Sequence, residues 1–133
     1  MSRLPGWLAV LACLTLVSGC DDDDDDETPD DGGAVSCPPG GTQLTEQNFG
    51  RAFLDSYCTR CHSSTRTGAA RNGAPEGLNW DQIDVVRANA DEMNEEAGAN
   101  ADGSVNSDMP PSDPRPTDDE RRQLAEWLAC GAP

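Results

Sequence analysis

The sequence predicts an all-α domain, and three observations carry that expectation. Apolar residues recur at helical spacing in three segments, near 46–58, 80–96 and 117–130. Residues suited to capping a helix stand directly before each segment. No run alternates apolar and polar residues as a half-buried strand would, and no internal repeat is visible.

The first elements are not part of that domain. Arg3 precedes an apolar run from Trp7 to Val17, too short to span a bilayer permanently and of the length of a secretory signal core. It ends at Val17-Ser18-Gly19-Cys20, which resembles the bacterial lipobox. That resemblance implies a signal peptide over 1–19 and lipidation of Cys20, with Cys13 discarded. Several acyl chains on one residue give stable anchoring where one would be marginal. An ordinary secretory signal or a short transmembrane anchor is the alternative; the small-small-Cys ending, followed at once by aspartates, favours the lipobox.

Residues 20–36 read as a tether. Six aspartates, Asp21 to Asp26, lead a stretch with nothing large and apolar to bury, so like charges keep it disordered and extended. The part after Cys20 reaches at most about 55 Å when fully stretched. A cation-binding role fits less well, because the fixed ligand spacing and glycine of a calcium loop are missing. The aspartate after Cys20 resembles an inner-membrane retention signal of some bacteria, a rule that does not hold in all of them. Inner and outer membrane therefore both stay open.

The remaining 37–133 form one domain. The whole chain carries −16. Nine of its 25 acids lie between Asp21 and Asp31, which leaves sixteen acids against eight arginines from Cys37 onward, a net of −8. Nucleic acid is excluded as a partner on that balance. A redox partner with a basic docking face fits it, though solubility alone explains most acidic surfaces.

The first predicted helix runs from about Glu46 to Cys58, behind the cap Thr45. Leu44 and Phe49 are placed to staple its entry, and Phe49, Phe53 and Tyr57 form one stripe. Its end meets Cys58-Thr-Arg-Cys61-His62, which reads C-x-x-C-H, the attachment signature of c-type haem. The two thiols can each add to one haem vinyl group. His62, the single histidine of the chain, can then offer its imidazole to the iron. A redox disulfide would want a strand-bearing context that the sequence lacks. A tetrahedral zinc site would want four ligands and a second C-x-x-C.

Residues 63–78 and 97–116 are rich in Gly, Ala, Asn, Asp, Ser and Pro and read as loops. Between them a second helix is expected from about Trp80 to Glu96 behind the cap Asn79, with Ile83, Val86, Ala90 and Met93 facing inward. The third opens with Thr117-Asp-Asp-Glu120, a capping box with acids in its first turn. It turns Leu124, Trp127 and Leu128 inward and stops at Gly131. Large apolar residues are scarce for a domain of this size, and a flat apolar cofactor would fill the deficit. Removing Cys13, Cys20 and the two haem cysteines leaves Cys37 and Cys130. They are expected to pair, two separate thiols being the alternative.

The order of these parts resembles a class I cytochrome c domain: helix, C-x-x-C-H, loop, middle helix, Met loop, terminal helix. The resemblance spans about Thr42 to Pro133. It implies one covalent haem c held by Cys58 and Cys61, with His62 as one axial ligand. Met109, before two prolines, would be the other. Met93, on a helical face, is the rival with core packing as its natural role. The resemblance further implies that the Pro75 carbonyl holds the His62 imidazole, although Pro75 also suits ordinary loop punctuation. It also implies that Gly50 and Phe53 meet Leu124 and Trp127 where the first and last helices cross. The implied function is a monomeric, lipid-anchored, single-electron carrier in the cell envelope facing the periplasm, without substrate chemistry. A haem-based ligand sensor, an electron-transfer subunit of a larger enzyme and a cofactor-free surface lipoprotein are the alternatives. The lack of lysine removes the basic docking ring of mitochondrial-type members, and with it any partner carried over from them.

Overall fold

The computed structural model describes residues 33–133. The expected signal peptide over 1–19, the expected lipidation site Cys20 and most of the expected tether lie outside the described residues. Among those described the fold is all-α, with α1 (Arg51–Tyr57), α2 (Ile83–Ala88), α3 (Ala90–Ala97) and α4 (Asp118–Ala129). A π-helical turn, Glu46–Gly50, leads straight into α1, and a 3-10 turn, Gly68–Arg71, interrupts the following loop. Two isolated bridges, Ala34 with Asn100 and Ala99 with Val105, are the β-structure among the described residues. No helix there is long and apolar enough to cross a membrane.

Local chemistry explains the start of the first and last helical segments and the stop of the last. Thr45 and Asn48 form a reciprocal cap, the Asn48 N–H donating to the Thr45 hydroxyl and the Thr45 N–H to the Asn48 side chain. Thr117 and Glu120 do the same at α4, with Asp118, Asp119 and Glu120 in its first turn. At the other end of α4 the chain reverses at Gly131, whose φ of +83° suits glycine. The Ala132 N–H then donates to the Trp127 carbonyl at 2.9 Å.

The middle helix differs from the expected single span over 80–96. It starts later, because the Asn79 side-chain oxygen accepts from Arg71 at 3.0 Å instead of capping a helix. It also breaks at Asn89, whose side-chain amide donates to the Val85 carbonyl at 2.7 Å and whose backbone leaves helical geometry. A short polar side chain competing for a helical carbonyl is a known cause of such breaks.

The core gathers where α1, α3 and α4 meet. Phe53, Leu54, Val86, Met93, Leu124, Trp127 and Leu128 are buried there, with Phe49 and Tyr57 against them. Phe53 and Tyr57 meet edge-on at 5.1 Å, as do Phe49 and Trp127 at 6.0 Å. Gly50 lies flat against the Trp127 indole. Polar ties fasten the same seam: the Tyr57 hydroxyl donates to Glu120 at 3.0 Å and the Thr42 hydroxyl to Glu126 at 2.6 Å.

Cys37 and Cys130 are joined by a disulfide that closes a loop of sequence separation 93. A Cys37→Ala/Cys130→Ala variant is expected to lose up to about 4 kcal/mol of stability by the chain-entropy relation. The check is its denaturation midpoint, with helix content unchanged by circular dichroism.

Candidate functional site

The site begins at the end of α1. The Cys58 N–H donates to the Leu54 carbonyl at 2.9 Å, so Cys58 closes the helix. The Cys58 carbonyl then accepts from the N–H of Cys61 at 3.1 Å and of His62 at 2.9 Å. One tight turn therefore carries both thiols and the imidazole. His62 is braced from behind: its ring stacks on Trp80 at 5.5 Å and 28°, and its carbonyl accepts from the Trp80 N–H at 2.9 Å.

All three motif residues line one cavity of about 360 Å³. Its walls are largely apolar, with Phe53, Tyr57, Leu78, Trp80, Met93 and Ala97 contributing. Met109 and Pro110 close another side, and Pro75 is on the wall as well. The fold thus brings Cys58, Cys61, His62, Pro75 and Met109 to one cavity. Cys37 and Cys130 are joined elsewhere, at the termini of the domain. Met93 is 4% exposed and belongs to the core, whereas Met109 is 40% exposed.

The partner of the His62 ring corrects one expectation. Its Nδ1 lies 3.2 Å from the Leu78 carbonyl, not against that of Pro75. The Pro75 carbonyl instead accepts from Arg71 Nη2 at 2.6 Å. A carbonyl can only accept, so the Nδ1 carries the hydrogen and Nε2 keeps its lone pair. Burial pulls the His62 imidazole below its ordinary value, the Leu78 hydrogen bond partly opposes that, and the nearby Arg71 charge lowers it further. The ring is therefore neutral at neutral pH and suited to donate to a metal.

Cys58 and Cys61 are not joined to each other. Burial pushes the Cys58 thiol up to about 12, against the pull of Arg60 and Arg121. A dithiol redox motif has the opposite need, a cysteine with a lowered value that attacks as thiolate. Among the described residues no three His, Cys, Asp or Glu side chains are grouped to hold a metal ion by themselves. A porphyrin brings four of its iron's ligands with it, so an imidazole and a thioether are all the protein must add. The donors present fit that group: two thiols, one neutral imidazole and one thioether around an apolar cleft.

Three arginines hold the loops of this site, and the sequence reading gave none of them a role. Arg71 is 3% exposed and donates to the carbonyls of Ser63, Ala74, Pro75 and Leu78 at 2.6 to 3.1 Å. It so fixes the carbonyl that holds His62. Arg60, inside the motif, reaches the Asp113 carbonyl at 2.6 Å and also the carbonyl of Ser112 in the loop beyond Met109. Arg121 is buried beneath Met109. It had a legible signal: it shares the spacing of Leu124, Ala125 and Leu128, so a charge sits in the apolar stripe of α4.

Asp81 anchors the chain just past the motif. Its carboxylate accepts from the Ser64 N–H at 2.9 Å, the Ser64 hydroxyl at 2.6 Å and the Ser63 hydroxyl at 3.3 Å. Burial pushes the carboxyl up, but these hydrogen bonds together outweigh it and hold it below the ordinary range. A carboxylate lowered by folding contributes stability that is complete above its unfolded value, near pH 4, and is lost as pH falls through its native value. Asp81→Asn is therefore expected to be less stable than the parent at pH 7. Urea midpoints measured down the pH scale check this: the gap between the two proteins should narrow only below about pH 4.

The chain matches no protein-family model, no curated protein and no solved structure.

Proposed function

We propose that this chain is a membrane-anchored, monohaem c-type cytochrome that carries single electrons on the periplasmic side of a membrane. One observation carries the reading. Two neighbouring thiols, a neutral imidazole with its Nε2 free and a thioether from 47 residues beyond that histidine line the same apolar cavity. Haem bound there would supply a one-electron ferric/ferrous couple.

The residues divide the work. Cys58 and Cys61 would hold the macrocycle through thioether bonds. His62, oriented by Leu78, and Met109 would supply the two ligands the protein adds to the iron. A thioether beside an imidazole would raise the reduction potential, and with both supplied no position would stay vacant for oxygen chemistry. The apolar walls exclude water from the rest of the site. Acylation at Cys20 would tether the domain to the membrane, and its net negative charge suits a redox partner with a basic docking face.

The exposure of Met109 favours a second reading, a haem-based ligand sensor whose sixth ligand is readily displaced. Carbon monoxide decides between the two: ready binding by the reduced parent protein supports the sensor, and refusal supports the carrier.

Met109→Ala is expected to keep covalent haem, to lose the long-wavelength thioether-to-iron band and to bind carbon monoxide. Its midpoint potential should fall by something on the order of 100 mV, within the roughly 0.8 V that axial ligands command. A variant with the parent spectrum and potential would remove Met109 from the iron. Parent protein without a pyridine haemochrome would remove the function.

A further inference from the structure

We propose that Arg121 is the positioning residue for the sixth ligand: through its guanidinium, α4 sets where Met109 stands. The inference rests on the haem reading above but concerns a residue that the reading does not use.

The segment carrying Met109 is held at Asn106, whose N–H donates to the Gly98 carbonyl at 2.9 Å, and beyond Pro111, where Arg60 binds the Ser112 carbonyl, but Met109 between them has little of its own. Ser107, Asp108 and Pro111 are exposed, and so is Met109 itself. Pro110 is the buried residue of that stretch. The Met109 N–H donates to the Glu96 carbonyl at 2.8 Å, one bond to the end of α3. The second hold comes from Arg121. Its Nη1 lies 2.9 Å from the Met109 carbonyl, 2.6 Å from that of Asn106 and 2.8 Å from that of Ala97. Two N–H groups are thus shared among three acceptors drawn from both ends of the Met segment and from the end of α3.

The cost of this arrangement argues that it has a purpose. Arg121 is 2% exposed and makes no salt bridge among the described residues; its hydrogen bonds go to backbone carbonyls. An ion removed from water is expensive unless its hydrogen bonds are complete. An apolar residue at this place in the stripe of α4 would bury more simply. What it could not do is bind three carbonyls that no helix or sheet satisfies. Hydrogen bonds from a charged donor are stronger than neutral ones, and Arg is pre-organised to make several at once. A thioether on an exposed loop gains most from such a fixed point, because misplacement by about 1 Å is enough to spoil a site.

The test uses the full chain exported with haem maturation, as parent, Arg121→Met, Arg121→Lys and Thr117→Ala. The last loosens the start of the same helix without touching Met109. Arg121→Met is expected to retain covalent haem by mass, to lose the long-wavelength thioether band and to bind carbon monoxide when reduced. Hydrogen exchange across 104–112 should rise about tenfold or more relative to α1, the scale of a lost charged hydrogen bond. Arg121→Lys keeps the charge but its nitrogen ends one bond short of the place of Nη1, so the band should weaken and exchange rise by a smaller factor. If Arg121→Met does not fold, the lysine variant decides alone. Thr117→Ala should keep the band. A parent without covalent haem would overturn the function and the ligand role together. A parent with haem and band, whose Arg121 variants keep both band and loop protection, would overturn the role of Arg121 alone. Equal loss of the band in Thr117→Ala would do the same.

Discussion

A Cys58→Ser/Cys61→Ser variant is expected to leave the export pathway without covalent haem and with its cooperative fold largely lost. The reason lies in the balance between core and cavity. The buried cluster is small for the 97 residues from Cys37 onward, and several of its members, Phe53, Trp80, Met93 and Ala97, also face the cavity. With a covalent cofactor those faces are covered at every moment, because the ligand cannot leave. Without it, water or a collapsed loop must cover them. A covalent cofactor stays on the unfolded chain as well and acts as an intramolecular ligand; at an effective concentration a thousand times its dissociation constant it would add about 4 kcal/mol. That is most of the stability of a marginal domain. Thermal melts by circular dichroism, beside intact mass, provide the check. The single serine variants should retain one thioether bond and melt in between. If the double variant melts as the parent does, the cofactor is no part of this core.

The parts of this fold that depend on near neighbours could be read from the sequence. Thr45 and Thr117 start helices because each has its capping partner three residues on, and the structure shows both reciprocal caps. The spacing of Phe49, Phe53 and Tyr57 marks the buried face of the first helix for the same reason. Parts that depend on distant partners could not be read. Asn79 looked like a cap, yet its oxygen serves Arg71, a residue in a stretch of small residues that gives no sign of burial. Asn89 broke the middle helix through a bond to Val85 that competes with the helix itself. The Leu78 carbonyl meets His62 because the loop turns at Gly73 and Gly77, with φ of +86° and +99°, and then passes over Arg71. The family resemblance pointed to Pro75, but the path of the loop decides which carbonyl points at the ring.

The site shows the same division. The placing of its motif was legible, because C-x-x-C-H is a local pattern and one turn carries its two thiols and imidazole. Its support was not, because arginines act through carbonyls far along the chain: Arg60 on 112–114 and Arg121 on Ala97, Asn106 and Met109. Backbone carbonyls leave no trace in a sequence. A charged residue in an apolar stripe is the one sign available, and only Arg121 shows it.

Gly50→Ala is expected to be among the most damaging single substitutions in the chain. A Cβ built on Gly50 would stand 2.3 Å from Trp127 Cζ2, 2.6 Å from Cη2 and 2.8 Å from Cε2. The φ of Gly50 is −56°, so the backbone would accept alanine and the whole penalty is steric. The indole cannot step aside. Trp127 is fully buried, Phe49 packs against it edge-on, and its Nε1 donates to the Pro133 carbonyl at 3.3 Å. Relief would have to come from moving the Glu46–Gly50 turn away from α4. That same turn is tied to the end of the chain, with the Glu46 N–H on the Pro133 carbonyl at 2.5 Å. Overpacking of this kind costs about 3 kcal/mol where neighbours cannot yield. In a domain near 100 residues that corresponds to a fall in Tm of roughly 12 to 24 °C. The paired variant Gly50→Ala/Trp127→Leu separates a clash from a loss of glycine's flexibility. Trp127→Leu alone leaves a cavity and destabilises, but once the indole is gone the added methyl should cost little or even fill part of the space. A Gly50→Ala protein as stable as the parent, or a double variant whose losses simply add, would mean that the helices do not cross with glycine against indole.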